Sequence, residues 1–357
     1  MMSGRVVKIV SRIVAVSVLL ALVCARGASA YPWPFKPFDK QHPIRGSFGD
    51  PRTVFQNGVL SDAFDGPGFF SFHQGVDISA PDGTPIYPVV SGIAHYLGAS
   101  TLNVNTGNDR IFQYFHIVPV VGEGERVVAK KTILGYVEAP FQHVHLTEID
   151  ETHSVNPLQK GHLNPFVDHT KPTIREVTFS NQSGTLETPL GLCGRVQLAV
   201  DAFDSTSLPV PGRFGGLPVT PALVRWNVTR LNGKNVLSWR TVADFRTTLP
   251  GNAHFSDVYA KGTYENAPRF GSQQYASMPG RYLFLLAGSF DTTSLANGAY
   301  ELNVRVADER GNQAKQSDRF SVLNAHGGVC PGSLPAPPST GPPPSEPPGD
   351  AGNAPQP

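Results

Sequence analysis

The chain has 357 residues, of which 40% are hydrophobic and 16% are charged, and it contains 36 glycines and 33 prolines. This composition excludes a fully disordered chain, which would be poorer in apolar residues, and a helical bundle, because helices avoid both glycine and proline. A formal net charge of +1 excludes a strongly basic nucleic-acid binder. The sequence therefore predicts about two β-rich domains joined by many turns, with no nucleic-acid partner.

Residues 1–30 have the pattern of a secretory signal peptide. Three basic residues precede an apolar run at 13–23, and small residues follow up to Ala30. The run is shorter than the ~20 apolar residues that a bilayer span requires, so a membrane anchor is the alternative that fits less well. We expect cleavage near Ala30, a secreted or cell-envelope location, and no stable membrane span in the mature protein.

Two further segments differ in composition from the rest. Residues 31–42 mix aromatic residues with prolines, and we expect an irregular lead-in there. Between residues 331 and 357 there are 11 prolines in 27 positions, which leaves too little apolar surface to offset the chain entropy of folding. The sequence therefore predicts a disordered tail at 326–357.

Cys193 and Cys330 are the cysteines that remain after the expected signal cleavage. An even pair in an oxidising compartment favours a disulfide over a metal site. Two unrelated buried thiols are the alternative, because sequence spacing alone cannot show that the two residues are close.

The chain from 171 to 325 is expected to form a β-sandwich. Strands are predicted at 173–179, 196–200, 224–231, 282–286 and 299–306. The pattern G-x-Y-x-L-x-V-x-V-x-D-x-x-G-N at 298–312 resembles the final hairpin of bacterial immunoglobulin-like sandwiches. Because the segment is longer than the ~100 residues of a simple sandwich, we expect residues from about 205 to 274 to include an insertion.

Nine of the 11 histidines lie between His42 and His169, which predicts that the chemistry lies in the first half of the chain. His73 and Asp77 are four residues apart and are flanked by turn-forming glycine and proline, which favours a strand over a helix. In a strand, side chains at i and i+4 share a face, so both could reach one metal ion.

Two more segments place histidines in predicted strands. His143 and His145 alternate with apolar residues, so both imidazoles should point to one side, and His116 lies within the predicted strand at 112–117. Each motif alone could be a satisfied core histidine or a surface pair. Together they predict four histidines and one aspartate on one sheet face. Two imidazoles and a carboxylate suit zinc, and three protein ligands leave a fourth position open, as in a catalytic site.

The order of these motifs, from about residue 43 to 165, resembles the M23 zinc endopeptidases of the lysostaphin type. The family's motifs run H-x-G-x-D, Y-x-H and H-x-H. The corresponding residues here are His73-Gln-Gly-Val-Asp77, Tyr114-Phe-His116 and His143-Val-His145. Gly46-Ser-Phe-Gly49 with Arg52 resembles the family's opening strand and turn.

The resemblance implies a set of residue roles. His73, Asp77 and His145 would bind Zn²⁺, while His116 and His143 would stay unligated, orient or deprotonate the attacking water, and stabilise the oxyanion. This chemistry is coherent, since zinc activates water and histidine titrates near neutral pH.

The resemblance also implies a fold and a substrate. The fold is mainly β, with a lysostaphin-like (duplicated hybrid motif) catalytic domain at 43–170 and an immunoglobulin-like domain at 171–325. The activity is that of an exported zinc metalloendopeptidase acting on the peptide cross-links of peptidoglycan. One alternative is a non-catalytic wall-binding protein or an activator of another wall hydrolase, and another makes the sandwich the functional unit as an adhesin.

Several side chains near the motifs are interpreted separately. Glu148 stands one place later than the glutamate of the family's H-L-H-F-E, so it should face the opposite side of the strand and lie outside the site. In a further hypothesis the lead-in lies across the cleft and offers Asp39 or His42 to zinc. Four other histidines are expected to be exposed or in loops: His95, His153, His162 and His169.

Overall fold

The computed structural model describes residues 30–55, 68–107, 109–266, 269–270, 273–274, 279–324 and 330. The expected signal peptide, apart from Ala30, and the expected tail, apart from Cys330, lie outside the described residues. No helix in the described part of the chain is long and apolar enough to cross a membrane.

Thirteen strands are described in the first half: β1 (Ile44–Gly46), β2 (Pro51–Phe55), β3 (Gly68–Phe72), β4 (Val76–Ser79), β5 (Pro85–Ile86), β6 (Gly92–Gly98), β7 (Thr101–Asn105), β8 (Arg110–Phe115), β9 (Ile117–Pro119), β10 (Arg126–Val127), β11 (Gly135–Val137), β12 (His143–Asp150) and β13 (His153–Val155). Eight of them form one antiparallel sheet in the order β1-β4-β12-β8-β7-β6-β10, with β13 paired to β12. A small sheet β5-β11-β9 and the hairpin β2-β3 complete this half.

Strand β12 lies inside the large sheet, between β4 and β8. Its apolar residues Val144 and Leu146 are fully buried, as the alternation of the sequence predicts. The register pairs His145 with Asp77 on β4 and with Phe115 on β8. The histidines of β12 are therefore flanked by the other two motifs.

Nine strands are described in the second half: β14 (Thr173–Ser180), β15 (Arg195–Phe203), β16 (Leu223–Arg230), β17 (Asn235–Asp244), β18 (Arg269–Phe270), β19 (Gln273–Gln274), β20 (Leu283–Asp291), β21 (Gly298–Ala307) and β22 (Gln313–Val322). They form the antiparallel sheets β14-β15-β20 and β17-β16-β21-β22, with β18 and β19 paired separately. One short helix, α1 (Phe255–Val258), lies between β17 and β18.

Aromatic side chains join the two larger sheets of the second half. The rings of Phe179 and Phe320 lie 5.8 Å apart, and those of Trp226 and Phe290 lie 6.0 Å apart. Two sheets packed on a shared core agree with the expected sandwich, and the prediction of a mainly β fold is confirmed.

Residues 205–274, which we expect to include an insertion, also contain two strands of the sandwich. Strands β16 and β17 fall inside this range, yet β16 pairs along its whole length with β21 and is integral to the four-stranded sheet. Only the stretches on either side of these two strands leave the sandwich, because β16 and β17 form a hairpin whose buried face completes the core.

The two halves pack closely against each other. Asp50 Oδ1 accepts a hydrogen bond of 2.7 Å from the backbone N–H of Thr220, and the Tyr259 hydroxyl donates one of 2.7 Å to the carbonyl of Gly49. The ring of Phe72 lies 5.6 Å from that of Phe245. The segment that leads from β1 to His73 is therefore supported by the second half of the chain.

A disulfide joins Cys193 and Cys330, whose Cα atoms are 5.5 Å apart, and this confirms the predicted pairing. It ties the end of the described chain to the turn before β15. Its two ends belong to the second half, so it contributes no group to the histidine cluster.

The lead-in packs on the first half. The Trp33 side chain is fully buried, and Tyr31 forms an isolated β-bridge with Leu163. The His42 ring contacts the rings of Trp33 and Phe35, and its Nε2 lies 3.1 Å from the Pro37 carbonyl oxygen. The hypothesis that His42 lies over the metal site is therefore wrong, because its own segment holds it.

Candidate metal centre and active site

Three side chains converge on one point at the edge of β4 and β12. His73 Nε2 lies 2.7 Å from His145 Nδ1, and Asp77 Oδ1 lies 3.1 Å and 3.0 Å from these two nitrogen atoms. His73 and Asp77 are buried and His145 is partly buried. The structure thus brings together the three residues that the sequence suggested as ligands.

His73 reaches this point by a route that differs from the predicted one. Strand β3 ends at Phe72 and β4 begins at Val76, so a bend separates His73 from Asp77 and they do not share one continuous strand. A Cβ atom on Gly75 would lie 2.4 Å from the carbonyl oxygen of Leu146 and 2.7 Å from His145 Nε2. Only glycine fits in this bend, because β12 passes against its backbone.

Outer hydrogen bonds fix both imidazoles. His73 Nδ1 donates to the carbonyl oxygen of Ser47 at 2.8 Å, and His145 Nε2 donates to Thr147 Oγ1 at 2.7 Å. These bonds leave the lone pairs of His73 Nε2 and His145 Nδ1 directed at the shared point. Two oriented imidazole nitrogens and a carboxylate oxygen fit zinc, and no fourth protein ligand closes the site among the described residues.

Asp77 is held on its other oxygen by Arg52. Arg52 Nη2 donates to Asp77 Oδ2 at 2.8 Å. A Cβ atom on Gly46 would lie 2.6 Å from that same oxygen, so the glycine makes room for the ion pair. Burial raises the pKa of Asp77, but the opposing charges of His73, His143 and Arg52 hold this pKa well below its ordinary value. The carboxylate is therefore ionised and oriented.

His143 and His116 lie beside the three convergent groups. His143 Nε2 is 3.5 Å from Asp77 Oδ1, and the His143 and His116 ring centroids are 4.5 Å apart. His116 stacks on Phe141 at 4.3 Å. It does not sit within a strand as predicted: it separates β8 from β9 with a φ of 60°. This left-handed conformation turns the chain at His116.

The tautomer of His143 follows from its partners. Its Nδ1 donates to the carbonyl oxygen of Phe141 at 2.8 Å, and its Nε2 accepts from Arg45 Nη2 at 3.4 Å. Burial lowers the pKa of His143 to about 3 and that of His73 to about 4, so both rings are neutral at pH 7. The unprotonated nitrogen of His143 is therefore Nε2, and it shares its lone pair with Arg45.

Arg45 and Phe214 form one side of the site. The Arg45 guanidinium donates to the Phe141 carbonyl oxygen at 3.1 Å and lies 4.1 Å from the centroid of the Phe214 ring. Phe214 belongs to the 205–222 stretch, so the second half of the chain contributes directly to the surroundings of His143. Sequence reasoning missed both residues, since neither carries a motif.

Glu148 lies outside the site, as expected. It is 1% exposed, and its carboxylate accepts hydrogen bonds from the Tyr31 hydroxyl at 2.6 Å and from Arg110 Nε at 2.6 Å, and contacts His162 Nδ1 at 2.7 Å. His162 lies in a loop, as expected, but it is buried, because this carboxylate satisfies it in the interior. His153 and His169 are exposed, as predicted.

No family model and no curated protein matches the chain. Solved structures do: the SpoIIQ–SpoIIIAH pore-forming complex is similar at 15% identity and a TM-score of 0.30, over 39% of this chain and 94% of that chain. The catalytic domain of the prophage-encoded M23 protein EnpA from Enterococcus faecalis is similar at 21% identity and a TM-score of 0.23, over 32% of this chain and 92% of that chain. LytU is similar at 20% identity and a TM-score of 0.25, over 34% of this chain and 86% of that chain.

Proposed function

We propose that this protein is an exported zinc metalloendopeptidase that hydrolyses peptide bonds in the cross-links of peptidoglycan. The observation that carries the proposal is the convergence of His73 Nε2, Asp77 Oδ1 and His145 Nδ1 within 3.1 Å of one another. Burial and outer hydrogen bonds hold these groups in the forms that bind a cation.

His73, Asp77 and His145 would hold a zinc ion, which would supply activation of a water molecule and polarisation of the scissile carbonyl. The protein's own groups manage the protons. His143 can accept a proton from that water at Nε2 and return it to the amine that leaves, because its Nδ1–H is fixed on the Phe141 carbonyl oxygen. His116 lies next to it, where a ring N–H can stabilise the negative charge that develops on the carbonyl oxygen.

The order of the three motifs supports the choice of substrate. H-x-G-x-D, Y-x-H and H-x-H occur in the order of the M23 family, and all five histidine and aspartate positions are present. A non-catalytic role would be favoured by the loss of one of these groups. The immunoglobulin-like assignment of 171–325 is part of the same proposal and is supported by the two packed sheets.

The test is digestion of purified peptidoglycan by residues 31–357, with mass spectrometry of the released fragments. Protein stripped of metal by a chelator is assayed alone, after addition of Zn²⁺, and after addition of Ca²⁺, beside His143→Ala. We expect peptide-bond fragments that disappear on stripping, return with Zn²⁺ alone, and are absent for the variant.

Zinc content is measured in parallel by elemental analysis. Stoichiometric zinc without fragments on any peptidoglycan type would contradict the peptidase and favour the non-catalytic wall protein. Fragments that persist after complete removal of zinc would contradict the metal mechanism.

A further inference from the structure

A cluster of acidic side chains, separate from the histidine cluster, lies where the two halves of the chain meet. Carboxylate oxygens of Asp168, Asp204 and Asp308 lie within 4.8 Å of one another, and all three residues are buried. Asp168 follows the first half, Asp204 follows β15, and Asp308 follows β21. The cluster is therefore assembled from three separate segments.

A small cavity adjoins this cluster. Its volume is about 10 Å³, which is room for one water-sized occupant, and Asp168, Asp204 and Glu309 line it together with Ser47 and Ser205. The lining is rich in oxygen atoms. This cavity is separate from the point at which His73, Asp77 and His145 converge.

Asp168 and Asp308 accept hydrogen bonds from their own loops, but Glu309 and Asp204 are under-satisfied. Glu309 Oε1 is inaccessible to solvent and has no hydrogen-bond partner. Asp204 is 3% exposed. Its Oδ1 accepts a hydrogen bond from the Ser205 N–H at 2.8 Å, and no donor among the described residues reaches its Oδ2. Buried carboxylate oxygens without partners are costly, so their accumulation at one cavity indicates a bound cation.

No basic side chain forms an ion pair with the cluster in the described part of the chain. Arg310 is next in sequence, but its Nε donates to the Phe166 carbonyl oxygen at 3.1 Å and its guanidinium lies over the Phe166 ring. Burial raises the pKa of Asp204 to about 9, and the neighbouring carboxylates of Glu309, Asp168 and Asp308 add to the increase. Without a cation, Asp204 would hold a proton at neutral pH.

We propose that Asp168, Asp204, Asp308 and Glu309 bind one Ca²⁺ ion, which links the two halves of the chain. Calcium takes six to eight oxygen ligands, and carboxylates with serine and backbone oxygens supply that set without nitrogen or sulfur. Magnesium fits less well, because it retains several waters and the cavity holds about one.

The position of the ion gives it a structural effect on the proposed active site. Ser47 lines the cavity, and its carbonyl oxygen accepts the hydrogen bond from His73 Nδ1. Asn312 Nδ2 also donates to the backbone oxygen of Asp168 at 3.0 Å, so the same segments already contact each other. Calcium would hold the second half in place behind His73. This site does not depend on the proposed peptidase activity.

The test uses residues 31–357 stripped of metal, reloaded with one equivalent of Zn²⁺, and titrated with Ca²⁺ by calorimetry and thermal unfolding. We expect one Ca²⁺ per chain and a Tm that rises by about 5 °C at a hundredfold excess over Kd. Asp204→Asn and Glu309→Gln should each abolish this response. Asp257→Asn removes an exposed carboxylate of the same half and should retain it.

His145→Ala separates the two proposals, since it should bind Ca²⁺ normally even though it loses zinc. Circular dichroism checks that each variant is folded. If Asp204→Asn does not fold, Glu309→Gln alone tests the calcium response. Absence of Ca²⁺ binding by the wild type, or its survival in a folded Asp204→Asn or Glu309→Gln variant, would overturn the proposal and leave a proton-sharing acidic cluster.

Discussion

Thr147 Oγ1 accepts the Nε2–H of His145 at 2.7 Å, from two residues along the same strand. Thr147 is 2% exposed, so water does not compete for this bond. The threonine stands where the sequence departs from H-L-H-F-E, and its hydrogen bond holds the His145 ring with Nδ1 facing His73 and Asp77. A departure from the family pattern is thus part of the support of the site.

Thr147→Val tests this relationship. Valine has nearly the same shape but cannot hydrogen-bond to Nε2, so His145 loses the contact that orients its ring. We expect zinc affinity to fall by about 10- to 100-fold, measured by competition with a chromogenic chelator. Thr185→Val, at an exposed position, is the matched control and should bind zinc as the wild type does. Equal zinc affinities in the two variants would show that Thr147 does not contribute to zinc binding.

His143→Ala and His116→Ala separate proton transfer from metal binding. Neither residue is among the three convergent groups, so both variants should retain stoichiometric zinc by elemental analysis. We expect kcat to fall by about 10²- to 10⁴-fold, as for loss of a general acid–base group. His153→Ala, at an exposed position on β13, should keep full activity. Loss of zinc from His143→Ala would make His143 a ligand instead.

Arg45→Ala should impair turnover without removing zinc. The guanidinium contacts His143 Nε2 and anchors Phe141, and a charge-assisted hydrogen bond contributes about 1.5–3 kcal/mol, so kcat should fall by about 10- to 100-fold. Phe214→Ala removes only the ring under the guanidinium, and we expect a loss of about fivefold or less. A larger loss for Phe214→Ala than for Arg45→Ala would contradict this order.

Gly75→Ala should disrupt the site sterically. The added Cβ would lie 2.4 Å from the Leu146 carbonyl oxygen, which is backbone and cannot rotate away. We expect a destabilisation of about 1–3 kcal/mol by urea unfolding, together with loss of zinc. Gly98→Ala meets no atom within 4 Å and is the control. Wild-type stability and zinc content in Gly75→Ala would show that β12 can move.

The acidic cluster predicts how stability depends on pH in protein loaded with zinc but not calcium. The folded-state pKa values of Asp204 and Glu309 are raised to about 9 and about 7, chiefly by burial. In the folded state these two groups bind more protons than in the unfolded state. Their contribution to the free energy of unfolding should therefore be greatest below about pH 4 and decline as the pH rises toward 9.

Urea unfolding at pH 5 and pH 8 measures this decline. Asp204→Asn removes one of the two groups, so the difference between the two pH values should shrink. Calcium at saturating concentration should shrink it in the wild type but not in the variant. A wild-type stability that rises from pH 5 to pH 8 without calcium would contradict the assignment of these raised pKa values.

Local pattern was enough to predict several features. Alternation along 143–146 gave the strand and put both histidines on one side, and the same period put Glu148 on the other side. The alternation at 299–306 predicted β21, and the cysteine pair predicted the disulfide. The strands depend on residues only a few positions apart. The disulfide was predictable because, once the signal peptide is removed, each of the two cysteines has no other possible partner.

Other features required the folded chain. The sequence places His73 and Asp77 on one strand, but the structure joins them across a bend that Gly75 permits. It predicts a strand at 224–231 but not its neighbours, and in the structure β16 pairs with β17 on one side and with β21 on the other. The contacts of Phe214 with Arg45, and of Asp204 with Asp168 and Asp308, join segments far apart in sequence. Sheet register and packing between the two halves decide such contacts, and no local period encodes either of them.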